Sequence, residues 1–425
     1  MKPRPNPYLI TAFVASFALR LTSSTFAANF YWDNGATEAN PLWATAANWA
    51  TTAAGTTNPS SAPGSLDDVF FNITSLTAAQ TLNLAAARSA KSLTFSGTST
   101  GGVTMKANAT GTTNQTLSLG YGGITMAPGT GTFNLGVAPT THGNILISLT
   151  GSQTWTNNSA SDMNWGSSGS TSSLSRAAGT GATLTFVNTS TGGFKFATQA
   201  VPNTATGIIG NWAFYGSGSA TQYAYNNSGT IAGYTGATAA SADALTTSTT
   251  NYELTPTGTT TLTGVRTANT IRSSGAGYTI DLGSSGANTL TLNGILAVGA
   301  SGDLTIQRSG GTGTVVAGSE MLVSGPQNVV ISAPVSGGGI TKSGSSTLTL
   351  SGTNTHTGTT IVSGGTLKAG STSAFSSGHA VALGNVPGAT FDLNGNALTI
   401  GSLAGGGFRR HRGVGFVKPH PQSDH

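Results

Sequence analysis

Short runs of alternating apolar and polar residues recur along most of this chain. In the run TLTL at residues 347–350, Leu348 and Leu350 point to one face and the threonines to the other, because strand side chains alternate with period two. Similar runs occupy residues 81–84, 92–95, 115–119, 132–135, 145–149, 183–187, 278–282, 289–292, 303–306 and 328–331. Gly, Ser or Asn separates them about every 10 to 20 residues, which is typical of strand–turn units in a sandwich, barrel or solenoid.

The amino-acid composition favours a long β architecture over disorder. The 425 residues include 61 glycines, about twice the average usage, and only 7% charged residues against roughly 25% in ordinary domains. Disordered chains are usually strongly charged and poor in apolar residues, which this chain is not. It contains no cysteine, so no disulfide holds the fold.

The net charge of +5 does not indicate a nucleic-acid partner. Seven of the 17 Lys and Arg residues lie near the two ends of the chain, which leaves 10 basic and 11 acidic residues in the body. Binding to nucleic acid requires a basic stripe, and the body has none. We therefore exclude nucleic acid as a partner.

Residues 336–371 are the most regular part of the pattern, with glycine-rich turns between very short strands. No single segment of this kind can bury its apolar face alone, so such units become stable by stacking on one another. No linker rich in proline or charge divides the chain, which is too long for one sandwich. We predict an all-β fold, a right-handed parallel β-helix or solenoid. At about 20 to 25 residues per coil, residues 73–407 would form about 13 to 17 coils in a rod roughly 60 to 80 Å long.

Residues 336–371 resemble the autotransporter-associated β-strand repeat. The matching positions are Gly338, Gly339, Lys342, Leu348, Leu350, Gly352, Asn354, Gly358, Gly365 and Leu367. His356 stands where that family usually has tyrosine, and Ser345 and Ser346 replace a small Gly/Ala step, but neither departure disturbs the alternation. The resemblance implies a bacterial, secreted or cell-surface passenger with a structural role for these ten residues. It implies no ligand.

The N-terminus has the features of a secretory signal peptide at residues 1–27. Lys2 and Arg4 precede an apolar run at residues 8–19, and small residues favour cleavage after Ala27 or Ala28. The alternative is a buried N-terminal strand. No other stretch reaches 18 apolar residues, so we expect no transmembrane segment in the mature chain.

Residues 28–72 form an aromatic head in which Trp32, Trp43 and Trp49 are three of the six tryptophans. An open solenoid end needs a cap, and bulky aromatics with Asp67 and Asp68 at the edge could form one. The rival interpretation is an aromatic platform that binds carbohydrate. Beyond it we expect degenerate coils at residues 73–335, with 203–256 as an insertion.

The C-terminal end changes character after the start of a further coil at residues 372–407. Residues 408–425, FRRHRGVGFVKPHPQSDH, are rich in Arg and His and match nothing upstream. One interpretation is a basic interaction tail. We favour a reading-frame change after about Gly407, or a truncated gene product.

No motif in the sequence indicates catalytic, cofactor-binding or metal-binding residues. GTSTG at 97–101 fits G-x-S-x-G but is not followed by a helix, and Thr341 replaces the glycine that a phosphate loop needs before Lys342. His142, His356 and His379 have no second ligand at metal-binding spacing, so we expect each at a turn or on the surface.

The predicted function is a secreted or cell-surface structural, adhesion-type solenoid without catalysis. Partners in keeping with this function are surface polysaccharide, matrix or further copies of the chain. The alternative is a polysaccharide-degrading β-helix enzyme, a lyase or glycosidase, because coils can bring distant acids together. The candidate acids are Asp243, Glu253, Asp281, Asp303 and Asp392. Three or more charged side chains in one groove would favour the enzyme.

Overall fold

The computed structural model describes residues 27–36, 38–72, 78–96, 102–136, 139–166, 173–198 and 200–405. Within them the strands form one 17-stranded, one 9-stranded and one 7-stranded sheet, with largely parallel pairing. The all-β, parallel solenoid prediction is confirmed. Almost all of the predicted signal peptide, the GTSTG run and residues 408–425 lie outside the described residues.

The first part of the chain, residues 27–234, forms one stack of coils that we call the first stack. Its elements are β1 (Asn29–Trp32), β2 (Trp49–Ala50), β3 (Asp68–Phe71), β4 (Gln80–Asn83), β5 (Arg88–Phe95), β6 (Val103–Lys106), β7 (Gln115–Met126), β8 (Phe133–Leu135), α1 (Pro139–His142), β9 (Ile145–Leu149), β10 (Gln153–Asn157), β11 (Met163–Trp165), β12 (Leu174–Arg176), β13 (Leu184–Asn188), β14 (Phe194–Phe196), β15 (Ala213–Tyr215), β16 (Gln222–Asn227) and β17 (Thr230–Gly233). Ile124 pairs with Trp155, and Trp155 pairs with Phe186 on the next coil. The step between these coils is 31 residues, which is also the separation of the hydrogen-bonded Asp162 and Gly193.

Residues 235–405 form the second stack, whose coils alternate between the other two sheets. Its elements are β18 (Thr238–Ala240), β19 (Thr246–Leu254), β20 (Gly258–Thr261), β21 (Arg266–Ser273), β22 (Tyr278–Asp281), β23 (Thr289–Ala297), β24 (Leu304–Gln307), β25 (Thr314–Ser324), β26 (Val329–Ile331), β27 (Val335–Lys342), β28 (Thr347–Leu350), β29 (Thr360–Val362), β30 (Thr366–Ala369), β31 (Ala380–Leu383), β32 (Thr390–Asp392) and β33 (Ser402–Gly405). Val323 pairs with Lys342, and Lys342 pairs with Val362. The coils here are shorter: hydrogen bonds between adjacent coils join Val335 to Asn354 and Gly337 to Thr357, at separations of 19 and 20 residues.

A hairpin ends the first stack. Strands β16 and β17 pair antiparallel, and β17 also pairs antiparallel with β14 through Lys195 and Thr230. Residues 203–256, where we expected an insertion, contain this hairpin and the passage into β18 and β19. The domain boundaries drawn from the sequence stay predictions.

The two stacks pack side by side in opposite directions. Near the hairpin, Asn251 Nδ2 donates to the Thr206 carbonyl at 2.7 Å. Further along the second stack, the Arg176 guanidinium in β12 meets the Glu320 carboxylate in β25 at 2.7 Å. A separate cluster of apolar side chains also bridges the stacks: Ile208, Phe214 and Tyr223 with Leu296, Val298 and Leu322.

This arrangement corrects the expectation of a single continuous rod. Each stack has its own core, one built from residues between Phe30 and Ile231 and the other from residues between Ala242 and Val381. The side-chain alternation predicted the coils, but it did not predict the reversal. The reversal depends on contacts between residues as far apart as Arg176 and Glu320.

Candidate functional site

The glycines of the 336–371 signature lie where one coil touches the next. A Cβ added at Gly338 would lie 2.0 Å from the carbonyl oxygen of Gly318. Gly365 has φ +64°, and its Cβ would lie 2.4 Å from the Gly344 carbonyl oxygen. Neighbouring backbone also crowds Gly339, Gly352 and Gly358. Only glycine allows the coils to approach this closely, which explains the signature physically.

The other signature side chains point inward. Leu348, Leu350 and Leu367 are fully buried, with Leu348 directly above Leu367 in the register. Asn354 is also buried; its Oδ1 accepts from the Val335 amide at 2.8 Å and its Nδ2 donates to the Ala374 carbonyl at 2.9 Å. Asn354 therefore links three coils through its amide.

Lys342 is fully buried without a carboxylate partner among the described residues. Its ammonium donates to the carbonyl of Ser343 and to those of Gly344 and Gly364, at 3.2 and 3.3 Å for the last two. Burial lowers the pKa of Lys342 to about 7. Because an ammonium has three N–H donors, these three carbonyls satisfy it completely. Lys342 therefore closes a turn and is not accessible to a substrate.

His356 and His379 are not on the surface, and the expectation that they are isolated is wrong. They are 4% and 5% exposed and lie on neighbouring coils with ring centroids 4.2 Å apart. The Thr360 hydroxyl lies between them, 2.9 Å from His356 Nε2 and 2.8 Å from His379 Nε2.

Burial, with a smaller effect of the His379 charge, lowers the pKa of His356 to about 4, and burial also lowers that of His379. The Thr360 hydroxyl can donate to one ring and accept from the other, so the trio is satisfied as two neutral histidines. Across the described ranges no group of three or more His, Asp or Glu could hold a metal ion. His142, by contrast, is only partly buried, with its Nε2 3.5 Å from the Lys106 ammonium.

Trp32, Trp43 and Trp49 form an aromatic cluster at the start of the first stack. All three are at most 1% exposed, and Trp49 packs edge-on against the other two at 5.0 and 5.1 Å. The indole N–H of Trp49 donates to the Trp43 carbonyl at 2.8 Å. Sugar platforms need exposed rings, so this burial argues against the carbohydrate interpretation. The cap function stays a prediction.

The outward face of the seven-stranded sheet carries a groove of about 420 Å³. Two columns of side chains line it, because the strands pair in register. One column contains Asp303, Asn328, Thr347 and Thr366, and the other Val330, Thr349, Lys368 and Asp392. Asn328 links the first column: its Nδ2 donates to Asp303 at 3.3 Å and its Oδ1 accepts from the Thr347 amide at 3.0 Å.

Most of the other candidate acids have structural partners. Asp243 pairs with Arg266, and Glu253 pairs with Arg272, each at 2.7 Å. Asp281 accepts from the backbone amides of Gly283 and Ser309, at 2.9 and 3.0 Å. Burial raises the pKa of Glu320, but the ion pair with Arg176 outweighs it and leaves that pKa low. Of the five candidate acids, only Asp303 and Asp392 lie in the groove.

Residues 340–369 match the family model described as passenger-associated-transport-repeat. The chain carries a passenger-associated-transport-repeat. This match confirms the resemblance to autotransporter-associated repeats, and it covers the glycine, Lys342 and leucine positions described above. Neither the curated proteins nor the solved structures contain a match to the chain. No helix in the described residues is long and apolar enough to cross a membrane.

Sequence reasoning missed the Thr360 bridge and the second column of the groove. His356 and His379 are separated by little more than one coil of the second stack, but this spacing has meaning only once the coil length is known. Asn328 and Val330 likewise join the threonines of β28 only through the pairing of β26 with β28.

Proposed function

We propose that this chain is a secreted or cell-surface structural solenoid of the adhesion type and performs no catalysis. The transport repeat and the parallel sheets fit a passenger-like structural domain. The observation that carries the proposal is the use of the polar groups. Acids such as Asp243, Glu253 and Glu320 hold coils together, while the outward columns present mainly hydroxyl and amide groups.

The sequence at residues 1–27 supports export, with cleavage after Ala27 or Ala28. A surface that repeats every coil supports binding through many weak contacts in parallel. Partners of this kind are surface polysaccharide, matrix components or further copies of the chain.

One observation favours the enzyme alternative: Asp303, Lys368 and Asp392 line the same groove, which meets our criterion of three charged side chains. Their placement opposes it. Asp303 precedes β24 and Asp392 ends β32, four rungs away, which corresponds to about 19 Å. The two carboxylates of a glycosidase lie roughly 5 to 10 Å apart. Lys368 has only Asp392 nearby for acid–base work.

Two measurements test the proposal. Mass spectrometry of the full chain after expression in a bacterium with an outer membrane should find a mature N-terminus at Ala28 or Asn29, with the protein accessible to protease added to intact cells. The purified protein should produce neither new reducing ends nor unsaturated products from neutral or acidic polysaccharides, with or without Ca²⁺. Turnover that disappears in Lys368→Ala would establish the enzyme instead.

A further inference from the structure

The groove on the seven-stranded sheet offers polar groups that the fold leaves unused. Within the described part of the chain, the Lys368 ammonium has neither a hydrogen bond nor an ion pair. Lys368 and Asp392 are direct register partners, yet no ion pair joins them. Asp392 uses Oδ1 to accept from the Asn394 amide at 2.8 Å. Its other carboxylate oxygen is available to a ligand.

The shape of the groove suits an extended chain. Its columns cross the strands and follow the stack axis, with one pair of side chains per rung at about 4.8 Å spacing. The volume of about 420 Å³ lies in the range of small ligand sites. A pyranose ring in an extended polysaccharide advances about as far as one rung, so one sugar could lie on each coil.

The charges select the class of ligand. Two carboxylates and one ammonium give the lining a net charge of −1, so a polyanion such as a polyuronate would be repelled at both ends of the groove. Carboxylate oxygens accept from sugar hydroxyls, while Lys368 and the Asn328 amide donate to them. The methyl groups of Val330 and Thr349 offer apolar area to the C–H faces of the rings.

We propose that this groove binds a linear neutral polysaccharide along the stack axis, one ring per coil, without cleaving it. The proposal rests on the function proposed above, for which it names the ligand class and the surface. The threonines position the chain, and the charged groups at the two ends orient it.

The test is affinity electrophoresis of the full chain in gels that contain a neutral glucan, mannan or galactan, with polygalacturonate as the anionic comparison. At least one neutral gel should retard the protein, and polygalacturonate should not. Thr349→Glu places a charge in the centre of the groove on a half-buried outward position and should weaken retardation at least fivefold. Thr279→Glu, on β22 of the same sheet but outside the groove, is the matched control and should bind like the unchanged chain.

Circular dichroism of both variants establishes that they fold. The proposal is overturned by retardation in polygalacturonate alone, by no retardation in any neutral gel, or by equal loss in Thr279→Glu and Thr349→Glu. These outcomes leave export and surface exposure untouched. Failure of the groove is therefore distinguishable from failure of the proposed function.

Discussion

The two stacks use the same parallel coil but fill it differently. The first stack has the longer coil, with a step of 31 residues, as between Asp162 and Gly193. Aromatic rings fill its interior; Trp155 alone packs against Trp165, Phe186 and Phe196. The second stack has a step of 20 residues, as between Gly337 and Thr357, and its interior is mainly aliphatic. A wider coil needs larger side chains to fill its cross-section.

The difference explains why only one stack carries a recognisable repeat. In the narrow coils, neighbouring backbones approach so closely that glycine is required at set positions, and inward leucines recur at a fixed step. The wide coils tolerate several shapes of aromatic side chain, so their sequences drift apart. The transport repeat therefore marks the narrow form of the coil, while parallel pairing is common to both forms.

Core truncation should show the largest contrast between the stacks. We expect Trp155→Ala to lower the free energy of unfolding by about 4 kcal/mol and Leu348→Ala by about 3 kcal/mol, because the indole leaves the larger cavity. All six tryptophans lie in the first stack, so tryptophan fluorescence reports its unfolding in urea while circular dichroism reports both. Equal losses, or a larger loss for Leu348→Ala, would contradict the idea that aromatic packing supports the wide coils.

Acid should destabilise the second stack selectively. His356 has a pKa of about 4 when folded and about 6.5 when unfolded, so the unfolded state binds the proton first as pH falls. The stability that depends on neutral His356 is complete above pH 6.5 and falls between pH 6.5 and 4, by about 2 kcal/mol at pH 5. Urea unfolding followed by circular dichroism at pH 7 and pH 5 measures this loss.

The control for the acid effect is His356→Tyr, which places at this position the residue usual in the repeat. It should remove most of the pH dependence, and the remainder should come from His379. The fluorescence transition of the first stack should change little between the two pH values. An unchanged pH dependence in His356→Tyr would assign the acid sensitivity to other groups.

The contact between the stacks should give the smallest effect. A double-mutant cycle with Arg176→Gln and Glu320→Gln should measure a coupling of about 1 kcal/mol, because the pair is bidentate but partly exposed. Its loss should also separate the fluorescence and circular dichroism transitions. Arg266→Gln, which breaks an ion pair inside the second stack, is the matched control and should leave their separation unchanged.

Much of the fold and part of the site could be predicted from the sequence. The period-two alternation around Leu348 predicted strands, and the glycine turns predicted stacked coils. The groove could not be predicted, because Asp303 and Lys368 share a face only through the register of four strands. The buried histidines were placed wrongly for the same reason: their partners lie on adjacent coils.

The sequence alone determined the all-β class, the parallel coil and the transport repeat, because alternation and close glycine contacts are local properties of neighbouring residues. Only the tertiary structure decided that the chain turns back at the β16–β17 hairpin and forms two antiparallel stacks. The reversal depends on long-range contacts, such as Asn251 with Thr206 and Arg176 with Glu320. Such pairs leave no periodic trace in the sequence, since each joins two otherwise ordinary polar positions.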